Sequence, residues 1–239
     1  MQKLIIDNGV LDIFPEIQIN ILTLSGINNH HNDSQEDYFK NLLAEATKAS
    51  AKFTNEEETF SKNPVVAQWR EAYRLFKTKK GARSSIEALL KRSHQGHEFT
   101  PIDPLVDIYN SISLKFGVPA GGEDVDHING DMHLAIADGG EPFFPLGAEE
   151  DSPALPGEVI YKDDKAAICR CFNWREAERT MLTDETTNAV LVIESINEEQ
   201  ANRANNAMSE LKNLCESYFN VTGETQTLTK ENPESVIKK

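Results

Sequence analysis

Three observations on this sequence predict an α+β fold. Helical periodicity dominates residues 33–116, short apolar or alternating runs dominate residues 131–193, and one long amphipathic helix follows at 197–219. Helices and strands segregated in this way pack as helices against sheet, giving a β-rich core with packed helices. At 239 residues the chain has room for one large domain or two small ones.

Each element has its own local reason. Lys3-Leu-Ile-Ile6 and Ile17 to Leu24 read as strands, the second by its period-two alternation. Asn28 to Asp33 is a polar turn in which His30 and His31 are adjacent, a poor geometry for one metal ion. Asp33-Ser34 caps a helix through Phe39, Leu42, Leu43 and Ala46 to Phe53. Asn63 is a cap with Pro64 in first position, for a helix carrying Val65, Val66, Trp69, Tyr73 and Phe76 to its end at Lys79-Lys80-Gly81. Ser84 or Ser85 caps Ile86 to Arg92. Asp103 and Pro104 start the next helix, whose core stripe is Leu105, Ile108, Tyr109, Ile112 and Phe116. Asp107, Asn110 and Ser113 share another face, and the glycine-rich acidic loop Gly117 to Asp124 follows.

Beyond Gly130, Asp131 to Ala137 alternates as a strand and Asp138 to Glu141 is a turn. Val159-Ile-Tyr161 and Ala166 to Phe172 form a hairpin, which puts Cys169 and Cys171 on one strand face. Ala189 to Ile193 is apolar throughout, the mark of a central strand. The closing helix turns Ala204, Met208, Leu211, Leu214, Cys215 and Tyr218 inward. The expected organisation is an N-terminal segment at 1–62 packed on the core, a domain at 63–230, and a frayed polar tail at 231–239.

Composition narrows the function classes. Apolar content of 39% and charged content of 26% describe a soluble globular chain, and no apolar run reaches membrane-spanning length. Three cysteines make no disulfide framework, and a cytoplasmic protein with reduced thiols is expected. Net charge is −15, so long-range attraction to a polyanion is not the default. From Trp69 to Arg92, however, eight basic residues (among them Arg70, Arg74, Lys79, Lys80, Arg83 and Arg92) stand against Glu71 and Glu87, a net of +6. That segment is either a basic patch for phosphate or a solvated, acid-paired face.

Several chemistries are set aside. Gly121-Gly122 and Gly139-Gly140 lack the spacing of a phosphate or dinucleotide loop, and there is no His-Glu-x-x-His or Gly-x-Ser-x-Gly. Asp124 to Asp131 imitates a calcium loop, but its glycine is one position late and Ala135 stands where a bidentate glutamate belongs. No cofactor and no metal are expected. What remains is a pocket: Asp107 and Asn110, the Gly121-Gly122 backbone, and Glu141 and Glu158 beside turn glycines. Acids there suit an ammonium group, and backbone amides suit an oxyanion. Glu141 and Glu158 are equally readable as surface turn residues.

Leu105 to Pro119 resembles the Val-Asp-(Ile/Leu)-Thr-Asn-Tyr…Gly-x-Pro segment of the B3/4 editing domain in the phenylalanyl-tRNA synthetase beta subunit. Lys165 to Arg170 and Thr183 to Ile193 resemble that domain's later strands, while Trp69-Arg70-x-x-Tyr73, Ser84…Glu87-Ala-Leu89, Gly140-Glu141 and Pro156-Gly-Glu158 fit its free-standing members. The resemblance spans roughly residues 65–196. It implies a B3/4-like α+β fold, tRNA or aminoacyl-tRNA as partner, and ester hydrolysis of a mischarged aminoacyl group in trans. On that reading Asn110, Gly121 and Gly122 are the catalytic positions. Asp107, Tyr109, Glu141, Glu158, Arg170 and Glu194 hold substrate, and Arg70, Arg74, Lys79, Lys80, Arg83 and Arg92 touch RNA. Asn110 matches the family's asparagine, Tyr109 replaces its threonine, and Gly121 stands where the synthetase has histidine. The synthetase's glutamate aligns near Val192 to Glu194. These departures leave the tyrosine specificity of the synthetase domain open. The alternatives are a larger or differently charged aminoacyl group, or a module that binds an amino acid, tRNA or a protein without catalysis.

Overall fold

The computed structural model describes residues 1–239. In chain order it holds β1 (Gln2–Ile6), α1 (Asn8–Ile13), β2 (Gln18–Ser25), α2 (Glu36–Ser50), α3 (Pro64–Ala72), α4 (Ser85–His94) and α5 (Pro104–Phe116). There follow β3 (Ala120–Asp124), β4 (Met132–Ile136), β5 (Val159–Lys162), β6 (Ala167–Arg170), β7 (Arg175–Glu176), β8 (Asn188–Ser195), α6 (Glu198–Phe219), β9 (Glu224–Leu228) and β10 (Glu234–Lys238). The strands form a six-stranded sheet ordered β10-β1-β4-β5-β6-β7 and a four-stranded sheet ordered β3-β8-β2-β9. β1 and β4 run parallel.

The four-stranded sheet is apolar on both faces, which explains why β8 reads as a continuous apolar run. Ile19, Ile21, Val190 and Val192 face the six-stranded sheet, sharing a core with Leu4, Ile6, Leu134 and Tyr161. Leu22, Leu24, Ala189, Leu191 and Ile193 face the helices, packing with Leu105, Ile108 and Ile112 of α5 and Ala204, Met208 and Leu211 of α6. The layers are therefore sheet, sheet and helices, the α+β architecture expected.

Helix boundaries follow their caps. The Asp103 carboxylate accepts from the Val106 amide at 3.0 Å, Pro104 follows it, and Gly117 closes α5 at φ 64°. Ser84 caps α4 by accepting from the Glu87 amide at 3.3 Å. Asn197 caps α6 through the Gln200 amide at 2.9 Å. Asn63 takes the N-cap position of α3 with Pro64 after it, but its side chain makes no capping bond: the side-chain oxygen accepts from the Glu56 and Glu57 amides instead, both at 3.1 Å. Asp33 and Ser34 lie in a short 3-10 turn capped by Asn32, and α2 starts at Glu36.

Five elements depart from the sequence reading. α3 ends at Ala72, so Tyr73 and Phe76 lie beyond it and the helix does not reach Lys79-Lys80-Gly81. α1 and β9 were not legible as a helix and a strand. The glycine-rich loop is largely strand β3, all five residues buried at the edge of the four-stranded sheet. The tail is not frayed: β10 pairs antiparallel with β1, and Ser235 and Ile237 turn inward. The boundary after residue 62 cuts through both sheets, because β1 and β2 are interior strands, one in each. Cys169 and Cys171 do not share a strand face either. β6 ends at Arg170, and Cys171 and Phe172 take left-handed φ values of 49° and 56°.

Candidate functional site

The C-terminal half of α5, strand β3, helix α4 and the β6–β7 corner enclose a cleft of about 710 Å³. Tyr109 and Asn110 reach it from α5, Gly121, Gly122 and Glu123 from β3, Arg92 from α4, and Cys169, Asn173 and Glu176 from the corner. It gathers five of the residues singled out in the sequence: Tyr109, Asn110, Gly121, Gly122 and Arg92.

The two glycines do different work. The Glu194 amide donates to the Pro119 carbonyl at 3.1 Å, so Ala120 and Ile193 are a non-hydrogen-bonded pair and the next pair, Gly121 with Val192, is hydrogen-bonded. The Gly121 amide is thus spent on β8, while the Gly122 amide lies on the free edge of β3 at the cleft. A side chain at 121 would start 2.9 Å from the Asn173 Cγ and Oδ1. Asn173 thus fills the space that a side chain at 121 would need, and its buried Nδ2 has no hydrogen-bond partner. A Cβ at 122 would lie 2.4 Å from Leu191 Cδ2, inside the core.

The cleft holds two acids that sequence reasoning missed. Glu123 is 3% exposed. Its Oε1 accepts from the Cys169 thiol at 3.0 Å, while its Oε2 makes no hydrogen bond of good geometry, although the Thr180 hydroxyl and the Arg179 charge favour its ionised form. Burial, then the charge of Glu176, holds its carboxyl well above the usual carboxylate range. Burial also raises Glu176, to about 7. Cys169 is pushed up by burial and by Glu123, so its thiol stays protonated and serves as a donor, not a nucleophile. The signal for Glu123 was present: on a strand it shares a face with Gly121.

The remaining expected substrate residues lie elsewhere. Asp107 is buried beneath the start of α5, where its carboxylate accepts from the Ile102 amide at 3.0 and 3.1 Å, and burial raises it to about 7. Glu141 closes its own turn, accepting from the Asp138 and Gly139 amides at 2.8 and 2.9 Å. Glu158 and Arg170 form a fully buried bidentate pair at 2.8 and 2.6 Å, and Arg170 also donates to the Ser152 carbonyl at 2.7 Å. That network is a strut within the fold. Glu194 sits behind the cleft wall, where the Tyr161 hydroxyl donates to it at 3.1 Å. Burial raises it to about 8 against that hydroxyl and the Asn173 amide, which favour the charged form.

The basic segment divides. Arg70, Arg74 and Arg83 border a groove of about 460 Å³ beside Trp69 and Tyr73. Arg70 is paired with Glu87 and Arg74 with Glu71, each at 2.7 Å. Lys79 donates to the Ser152 hydroxyl at 2.6 Å, and Lys80 is exposed. Arg92 lies over the Phe99 ring at 4.9 Å, at the cleft mouth. No cluster of three or more His, Cys, Asp or Glu is arranged to hold a metal ion, and no helix is long and apolar enough to cross a membrane.

The B3/4 domain family matches residues 68–226, about two thirds of the chain. The chain belongs to the B3/4 domain family. The matched span runs from α3 through most of β9 and contains every cleft residue named above; β1, β2 and β10 lie outside it. The phenylalanine–tRNA ligase beta subunit of Psychrobacter arcticus is 32% identical over 106 residues, covering 44% of this chain and 12% of that subunit. The B3/4 chain thus spans a small part of the length of that relative. An N-terminal fragment of the phenylalanyl-tRNA synthetase beta-subunit from Pyrococcus horikoshii overlays 92% of this chain and 49% of the fragment, with 13% identity and a TM-score of 0.48.

Proposed function

We propose that the cleft receives the aminoacylated end of a tRNA and hydrolyses its ester in trans. The observation that carries this reading is the convergence of Tyr109, Asn110, Gly121 and Gly122, from two separate elements, on one cleft in a chain related to a tRNA ligase subunit. Water adds to the ester carbonyl, the bond to the ribose oxygen breaks, and that oxygen leaves with the proton. The products are free amino acid and tRNA. The Gly122 amide, on an unpaired strand edge, is a fixed donor for the developing oxyanion. The side-chain amides of Asn110 and Asn173 orient the ester and the attacking water. Lys80, Arg83 and Arg92 meet the phosphates at the cleft mouth and the neighbouring groove.

A panel of mischarged tRNAs tests this. At least one is deacylated by the wild type, and Asn110→Ala lowers that rate by about 10-fold or more, the scale of one positioning group, with an unchanged unfolding midpoint. Hydrolysis of none sinks the enzyme reading. A second reading, binding without hydrolysis, draws support from Gly121, where the resemblance puts a histidine in the synthetase and where Asn173 leaves no room for a side chain, and from the net charge of −15. It predicts retention of aminoacyl-tRNA without turnover.

A further inference from the structure

Neither acid of the cleft forms a salt bridge with the protein: Arg179 acts on Glu123 by charge alone, and its guanidinium is bound to Asp163. Glu123 is buried, and its Oε2 makes no hydrogen bond of good geometry. Glu176 sits directly across from Cys169 in the β6–β7 pairing, so both side chains leave the same face. The Cys169 thiol in turn touches Glu123 at 3.0 Å. The two carboxyls therefore share one wall. The guanidinium groups around them are engaged elsewhere: Arg175 over the Trp174 ring at 5.1 Å, Arg92 over Phe99 at 4.9 Å, and Arg179 with Asp163 at 2.9 Å. Two carboxyls on the wall of one cleft, neither of them in a salt bridge, are half of an ion-pair site.

We infer that the aminoacyl group taken into this cleft carries a cationic side chain, a guanidinium or an ammonium, held by Glu123 and Glu176. The inference rests on the reading of the cleft as an aminoacyl-ester site and names the substrate class. Every aminoacyl ester carries one α-ammonium. Two carboxyls on one wall, one of them buried with a free oxygen, leave room for a second cation or for the several donors of a guanidinium. A ligand with an apolar side chain would leave Glu123 Oε2 unanswered, and walls built for hydrogen bonding reject such analogues strongly.

Calorimetric titration with argininamide, lysinamide, norleucinamide and tyrosinamide tests this, because all four carry the α-ammonium and differ in the side chain. Argininamide or lysinamide is expected to bind at least about 10-fold more tightly than norleucinamide, the scale of one charge-assisted hydrogen bond. Glu176→Gln and Glu123→Gln are each expected to erase that preference. Unfolding midpoints confirm that each variant is folded, and the more exposed Glu176 carries the test if Glu123→Gln does not fold. Binding of both argininamide and lysinamide no tighter than that of norleucinamide, tightest binding of tyrosinamide, or no binding of any amide overturns the inference. Deacylation of arginyl- and lysyl-tRNA beside tyrosyl- and phenylalanyl-tRNA separates it from the function it rests on. Hydrolysis of the neutral esters alone sinks the cationic specificity and leaves the deacylase. Cation-selective amide binding with no hydrolysis of any tRNA supports the specificity and sinks the deacylase.

Discussion

At position 121 the absence of a side chain makes room for the amide of Asn173, and at 122 it makes room for Leu191. The two glycines therefore have opposite mutational signatures. Gly121→Ala pushes against the far end of a flexible side chain. It is expected to lower deacylation with a stability change within about 1 kcal/mol. Gly122→Ala meets a core leucine and is expected to cost about 1–3 kcal/mol in urea unfolding. The reverse ranking would show that the face assignment of β3 is wrong. The Glu158–Arg170 pair is nearly devoid of exposure on either side, so Glu158→Gln strands a buried guanidinium. A loss of about 3–5 kcal/mol is expected, measured by denaturant unfolding. A loss below about 1 kcal/mol would place the pair within reach of water.

Among the elements, helices were the more legible. Capping residues and apolar stripes act within a few residues, so Asp103-Pro104 and Asn197 announced α5 and α6 from local sequence. β8 announced itself by its apolar run. β3 did not, because its glycines carry no strand propensity. They are tolerated because Gly121 makes room for Asn173 and Gly122 for Leu191, meetings made across the fold and invisible in the chain. The same limit hid the cleft acids. Asn110 was legible from the α5 pattern, whereas Glu123 and Glu176 meet only through the β3 edge and the β6–β7 corner. Glu158 was read as a substrate residue from its neighbouring turn glycine and Arg170 from the family resemblance, yet they are buried together. β10 was read as a tail because few of its residues are apolar; the β1 ladder orders it. Ile237→Asp, buried at 5% exposure, is expected to lower stability by about 2–4 kcal/mol, because apolar packing is removed and a charge is buried in its place. Thermal unfolding that leaves the midpoint unchanged would return β10 to the status of a tail.

The whole molecule carries its charge unevenly between surface and interior. Burial raises Asp107 and Glu176 to about 7 and Glu194 to about 8, and holds Glu123 well above the usual carboxylate range. In the unfolded chain such acids ionise near pH 4. The folded state thus keeps protons that the unfolded chain has released. Stability from these groups is full below about pH 4 and is lost as pH rises through about 7–8. Asp163, Asp126 and Glu199 are lowered and oppose this only at the acid end. The unfolding temperature is expected to peak near about pH 4–5 and to fall as pH rises to about 8. A flat or rising profile between about pH 6 and 9, read by scanning calorimetry, would contradict the burial of these acids. Binding to tRNA faces the same net charge of −15. With so few unpaired cations, its salt dependence is expected to be shallow. Lys80→Glu with Arg83→Glu should flatten it further, by roughly one unit of slope for each phosphate no longer neutralised. Unchanged binding in that double variant would make the segment a solvated face.

The antiparallel pairing of Gln2 with Lys238 places the two ends of the described chain side by side on one sheet. A short linker from Lys239 back to Met1 would close the backbone into a ring without disturbing a strand, so new ends opened in the exposed stretch at Glu149-Glu150 should yield a circular permutant with the same fold. By the same geometry the unit can be spliced whole into a surface loop of a larger protein, entering and leaving at one point.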